Sequence, residues 1–209
     1  MAKHARKAPR AAAKAAARRR ELVARRQRRQ LRIAVVLGIL ALSTLIALLL
    51  IPRGSSTPLP AGTRTFSESD HDHVTGAVRY NRTPPAGGAH SSVWLNCGVY
   101  SHPVRSENAV HSLEHGTVWI TYQPILPPGE IAALQHLVKS SYVGSERYLI
   151  LSPYPGLPSL VVASAWGAQL RLIRAGDPRL AGFIHHFAGG GQGGEAGGPC
   201  TGGTGSPTN

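Results

Sequence analysis

The pattern of apolar and polar positions changes character several times along the 209-residue chain, and those changes mark its parts. Residues 1–32 are dominated by Ala and Arg and are expected to form a basic tail, disordered or lying as a helix at the membrane interface. Residues 33–51 (IAVVLGILALSTLIALLLI) then run for 19 positions without a charge, Asn, Gln or Pro. At about 1.5 Å per residue such a run crosses most of a hydrocarbon core about 30 Å thick, so one transmembrane helix is expected there. Gly38, Ser43 and Thr44 fit such a helix, the hydroxyls bonding back to its carbonyls. Residues 52–72 mix Pro, Gly, Ser and charge with almost no large apolar side chain, the composition of a stalk linker. Residues 73–188 regain apolar periodicity and suffice for one compact domain. Residues 189–209 are nearly half Gly and are expected to form a disordered tail.

Within the domain, residues 78–80 read as a short strand before the turn-rich segment 81–88 (NRTPPAGG). Ser106 can cap a helix over 107–115 that Gly116 ends. Residues 117–122 (TVWITY) are β-branched and aromatic, a buried strand stopped by Pro124. Pro127 and Pro128 open an amphipathic helix over about 129–141, with Ile131, Leu134, Leu137 and Val138 on one face. A strand over 147–152 and a hairpin of 160–165 with 169–173 around Trp166 and Gly167 follow. Asp177 and Pro178 start a last helix, to about Phe187, facing Leu180, Phe183 and Ile184 inward. The order β-α-β-α-β-β-β-α predicts an α/β, mixed α+β domain whose central mixed sheet is flanked by helices. Its middle β-α-β unit favours a parallel pair by right-handed crossover. That order, with Pro158 just before a strand, is similar to a thioredoxin-like arrangement. No Cys-x-x-Cys is present, so thioredoxin chemistry is excluded.

Charge alters this picture at one end only. The formal net charge is +13, but residues 1–32 hold 13 of the 23 Lys and Arg and one acid, Glu21. The remainder has 10 basic and 9 acidic residues and is nearly neutral. A basic flank stays in the cytoplasm, so the domain after Pro52 is expected outside the cell membrane, single-pass and N-terminus in. A cleaved signal peptide is the competitor, but its apolar stretch is shorter and nothing here resembles an Ala-x-Ala cleavage site. The basic tail's expected partners are the bilayer and anionic lipid head groups. No aromatic residue interleaves its charges, which argues against nucleic acid.

Two cysteines, Cys97 and Cys200, allow one connectivity, and in an exported domain the expectation is a disulfide. The strongest chemical signal is the segment 110–116 (VHSLEHG). His111 and His115 are four apart, so on a helix both imidazoles leave one face, close enough to share an ion. Glu107 sits four residues earlier on that stripe and could hydrogen-bond an imidazole from behind. Further candidates are His71 and His73, His90 after a Gly-Gly turn, and His102. His90, His111 and His115 together would make a three-imidazole site suited to zinc or copper, with Glu107, Glu114 and His73 flanking it. The alternative is a structural network in which these groups satisfy buried partners. The literal His-x-x-Glu-His match at His111, Glu114 and His115 raises a zinc peptidase with Glu114 as general base. Gly116 and a strand follow at once, where such enzymes need a longer helix and a downstream acidic ligand. His136, His185 and His186 read as surface, Trp94, Trp119 and Trp166 as core, and the sequon at 81–83 is followed by Pro84.

Tyr80-x-x-x-Pro84-Pro85-x-Gly87-Gly88-x-His90, then Trp94-x-Asn96-Cys97-Gly98-x-Tyr100, then residues 110–124, resemble the domain-of-unknown-function 3105 family. Residues 152–156 (SPYPG) and 165–167 (AWG) continue the match, which covers about 71–187. The family is common in actinobacteria and typically lies behind one N-terminal membrane helix, so the resemblance implies location and domain extent rather than mechanism. Its pattern includes the positions of His73, His90, His111, Glu114 and His115. Three functional classes therefore stand: a membrane-anchored extracytoplasmic metal-binding domain, a zinc-dependent membrane-bound hydrolase, and a structural subunit docking onto an envelope or membrane complex.

Overall fold

The structure, a computed structural model, describes residues 58–141 and 147–208, with residues 20, 25–30, 33, 35–40 and 42. The chain divides into two units, Met1–Ser56 and Thr57–Asn209. The described residues of the first unit are helical and exposed. Among the described residues no helix is long and apolar enough to cross a membrane. Of the span expected at 33–51, residues 34, 41 and 43–51 lie outside the described residues, as do most of 1–32 and all of 52–57.

The second unit is mixed α+β. Its strands are β1 (Arg64–Thr65), β2 (Gly98–Val99), β3 (Val118–Tyr122), β4 (Leu149–Pro153), β5 (Val161–Ala165) and β6 (Ala168–Leu172). Its helices are α1 (Ser106–Glu114), α2 (Pro128–Ser140) and α3 (Pro178–Phe187). The strands form one sheet in the order β1-β6-β5-β3-β4-β2. β3 and β4 are parallel across α2, as the β-α-β pattern predicts, with Ile120 opposite Leu151. β5 and β6 form the expected antiparallel hairpin, and β5 adds antiparallel to β3.

β3, β4 and β5 are buried at every position, so both faces of the sheet are covered. On one face α2 and α3 lay Leu134, Val138, Leu180, Phe183 and Phe187 against Val118, Ile120, Leu151 and Ala163. On the other, Ala109, Val110 and Leu113 of α1 meet Trp119, Ile150 and Trp166. Pro128 at the first turn of α2 and Asp177 capping the Arg179 N–H of α3 start those helices where the sequence places them. α1 starts one residue earlier than expected, so Ser106 lies inside it and makes no cap.

Three expectations are corrected. Residues 78–80 are not a strand: the Val78 N–H donates to Glu107 Oε1 (2.9 Å) and the Tyr80 hydroxyl to the Ala89 carbonyl (2.9 Å), so side-chain and loop partners replace a sheet ladder. The short strand before α1 is β2, parallel to β4. Residues 58–72 are not a stalk, because β1 pairs with β6 and the Phe66 N–H donates to the Gly167 carbonyl at 2.7 Å. Residues 189–208 are not a free tail. The Cys97–Cys200 disulfide forms, Cys200 is buried, and the Cys97 and Thr208 N–H groups donate to the Cys200 and Val99 carbonyls. Gly is required on this path where the chain crosses α1: a Cβ on Gly198 would lie 2.6 Å from the His115 ring.

Candidate metal centre

Helix α1 is buried almost all round, including its polar side chains Glu107, Asn108, His111, Ser112 and Glu114. Such a helix is stable only if each polar group finds a partner, and the partners here are loops. Asn108 Nδ2 donates to the Val93 carbonyl (2.6 Å), while Ser112 Oγ donates to the Leu95 carbonyl (2.8 Å) and accepts the Leu95 N–H (2.9 Å). These bonds bind the loop 90–96 to the helix. Gly116, at φ +93°, ends α1 directly after His115, with its N–H on the Leu113 carbonyl.

The histidines are oriented by one recurring device. His90 Nδ1 lies 2.8 Å from the Gly88 carbonyl, His111 Nδ1 2.6 Å from that of Ser91, and His115 Nδ1 2.8 Å from that of Pro199. A carbonyl only accepts, so each Nδ1 carries the proton and each neutral ring offers a lone pair at Nε2. A backbone carbonyl fixing the tautomer of a ligating imidazole is the usual outer support of metal sites. Burial holds His111 below its ordinary protonation range, the Ser91 contact acts the other way, and His115, His90 and His73 press it further down.

Those lone pairs converge. His111 Nε2 and His115 Nε2 are 3.0 Å apart, the helix-face pairing that their spacing predicts. Glu195 Oε2 completes a triangle at 3.6 Å from His111 Nε2 and 3.3 Å from His115 Nε2. A circle through these three atoms has a radius of about 1.9 Å, and their mean separation is about 3.3 Å. Three corners of a tetrahedron around zinc, at bond lengths of about 2.0–2.1 Å, have the same edge and the same radius. His111, His115 and Glu195 would hold such an ion and leave its fourth ligand to another group.

His90 belongs to a second, overlapping group. The ligand atoms of His73, His90 and His111 all lie within 4.8 Å of one another. His90 and His115 share no such group, so the expected trio of His90, His111 and His115 splits, with His111 common to both halves. Glu114 falls on the His90 side: one carboxylate oxygen meets His71 Nδ1 and the other lies 2.9 Å from His90 Nε2. His71 in turn stacks on Trp166, the ring centroids 4.6 Å apart. Trp94 closes the other side, 5.2 Å from His115 and 5.9 Å from His111.

Glu107 does not support an imidazole. Its carboxylate accepts the Val78 N–H and approaches Arg105, and although burial opposes ionisation, these bonds hold its carboxyl below the usual range. One helical turn from His111 it faces the 76–78 loop instead. His102 bonds to Ser101 and stands apart, and His136 and His185 are exposed as expected. Trp119 and Trp166 are core residues, whereas Trp94 walls the site. Sequence reasoning misses Glu195 because a Gly-rich composition reads as free chain. The available signal was its position as the only charge of that segment, five residues before a cysteine with one possible partner.

A mixed α+β domain with a histidine cluster between one helix and a strap, residues 189–208, tied down by the disulfide defines the class. The sequence profile of the family described as Protein of unknown function (DUF3105) matches residues 71–202, and the chain belongs to that family. The matched span includes the strap through Cys200, and with it Glu195. No curated protein and no solved structure matches the chain.

Proposed function

We propose that this chain is a membrane-anchored extracytoplasmic domain that binds one transition-metal ion, zinc being the best fit, through His111, His115 and Glu195. The observation that carries this reading is the triangle of two Nε2 lone pairs and one carboxylate oxygen at tetrahedral spacing. Two neutral nitrogens facing each other at 3.0 Å repel unless a cation lies between them. A proton shared between the two rings is the alternative cation, and the same cluster is then a structural network linking α1 to the strap. Metal content separates the two. Equilibrium dialysis of the purified full-length chain against Zn²⁺ should give one ion per chain, lost in His111→Ala and held more weakly in His115→Ala. Background metal in the wild type would leave the proton network as the better account.

Two imidazoles, a carboxylate and an open fourth position are also the donor set of catalytic zinc. The hydrolase reading is weakened because Glu114, its proposed base, is already engaged through one oxygen by His71. The 33–51 hydropathy, the basic flank and the disulfide support anchoring and export. A reporter active only outside the cytoplasm should work after Asn209 and fail before Arg32. The partial order β2-β4-β3-β5-β6, with β2, β4 and β3 parallel, supports the thioredoxin-like reading of the elements.

A further inference from the structure

The geometry points to a second station for the same ion, made by His73, His90 and His111, which excludes the first because His111 has one free nitrogen. This rests on the metal reading above, but a different observation carries it. His90 is fully buried, and its Nε2 has no hydrogen-bond partner. Glu114 Oε2 is 2.9 Å from that nitrogen, yet the two are not aligned as donor and acceptor. With its proton held at Nδ1 by the Gly88 carbonyl, His90 presents a buried lone pair. Leaving such a group unmatched is costly, and a Lewis acid matches it.

His90 belongs to a group that can ligate. His73, His90 and His111 have ligand atoms within 4.8 Å of one another, and the main chains carrying the first two are paired, the Val74 and His90 N–H groups donating to the His90 and Asp72 carbonyls. His90 stands nearly perpendicular to both neighbours, at 77° to His73 and 77° to His111. His73 lies parallel on His111, at 10°, and must turn out of that stack to share an ion with it. Its exposure allows the turn. Glu114 beside the station supplies the negative charge that an all-imidazole set lacks. Three neutral imidazoles suit copper or zinc, whereas the first station, with its carboxylate, favours zinc.

Sharing fixes the stoichiometry. His111 Nδ1 is committed to the Ser91 carbonyl, so only Nε2 can bind, and it serves one ion at a time. The ion therefore has two alternative seats, one closed by the strap residue Glu195 and the other by the loop residue His73.

Titration of the full-length chain with Co²⁺, whose visible spectrum reports its ligands, tests this. Wild type should saturate at one ion, and His73→Ala alone should change affinity less than about 3-fold. Glu195→Ala should still bind one ion, with an altered spectrum and affinity lower by about 10–100-fold, and adding His73→Ala to it should lower affinity by a further factor of at least about 10. Saturation at two ions would overturn the shared station. So would loss of all binding in Glu195→Ala, or no effect of His73→Ala in that background, while the first site stood. A wild type that binds no ion would sink the metal reading itself.

Discussion

On one face of the sheet, α2 and α3 cover Ile120, Leu151 and Ala163 with apolar side chains and expose their polar sides to water. On the other, α1 buries Glu107, Asn108, His111, Ser112 and Glu114, and needs segments distant in sequence to enclose it. The first face is held by area removed from water, the second by satisfied polar contacts and a covalent tie. A protein that needed only stability would have two faces of the first kind. The polar face is costly unless its groups are matched, and its three carbonyl-oriented imidazoles match a cation.

The comparison is broken most severely at the disulfide. Cys97 and Cys200 are 103 residues apart, and removing such a cross-link costs on the order of 4–5 kcal/mol by loop entropy. Cys97→Ser with Cys200→Ser should lower stability by about that much in urea and weaken metal binding together, because Pro199 and Glu195 flank the tie. A change below about 1 kcal/mol would mean that the strap's own hydrogen bonds hold it. Phe183→Ala comes next: it should cost about 3–5 kcal/mol while leaving metal affinity unchanged, since the ring is fully buried on the opposite face. Coupled loss of metal would show that the faces are not independent. Ser112→Ala removes the hydroxyl that joins α1 to Leu95, for about 1–2 kcal/mol, and should weaken metal binding by loosening the loop that carries Ser91.

The smallest effect belongs to the apolar face and fades in acid. Arg179, through its side chain and its N–H, holds the Asp177 carboxyl at about 2 instead of its ordinary 3.8. The folded value is the lower one, so the contribution is complete above about 3.8 and is lost as pH falls toward 2. Asp177→Asn should lower the unfolding temperature near neutrality and flatten its pH dependence in that window, so that variant and wild type converge toward pH 2. A steeper dependence in the variant would contradict the capping role.

Legibility followed the same division. Period and punctuation located α2, α3 and the β5–β6 hairpin to within a residue or two, because an amphipathic pattern encodes its own burial. The pairing of His111 with His115 was equally local, four residues on one helix. Its third partner was not, since Glu195 reaches the site only through a disulfide and a path of glycines that composition alone reads as disorder. β1 and β2 were missed for the related reason that two-residue edge strands have no period and exist only by pairing with β6 and β4. The expected meeting of His90 with His115 failed because a helix face fixes His111 and His115 to each other but says nothing of the side from which a loop approaches.

X-ray absorption at the zinc edge, on the full-length chain loaded with one equivalent of Zn²⁺, tests the central claim most directly. The account predicts about four nitrogen or oxygen neighbours at about 2.0–2.1 Å, with the outer scattering of imidazole rings, lost in His111→Ala. A six-coordinate hydrated ion without imidazole scattering would contradict it.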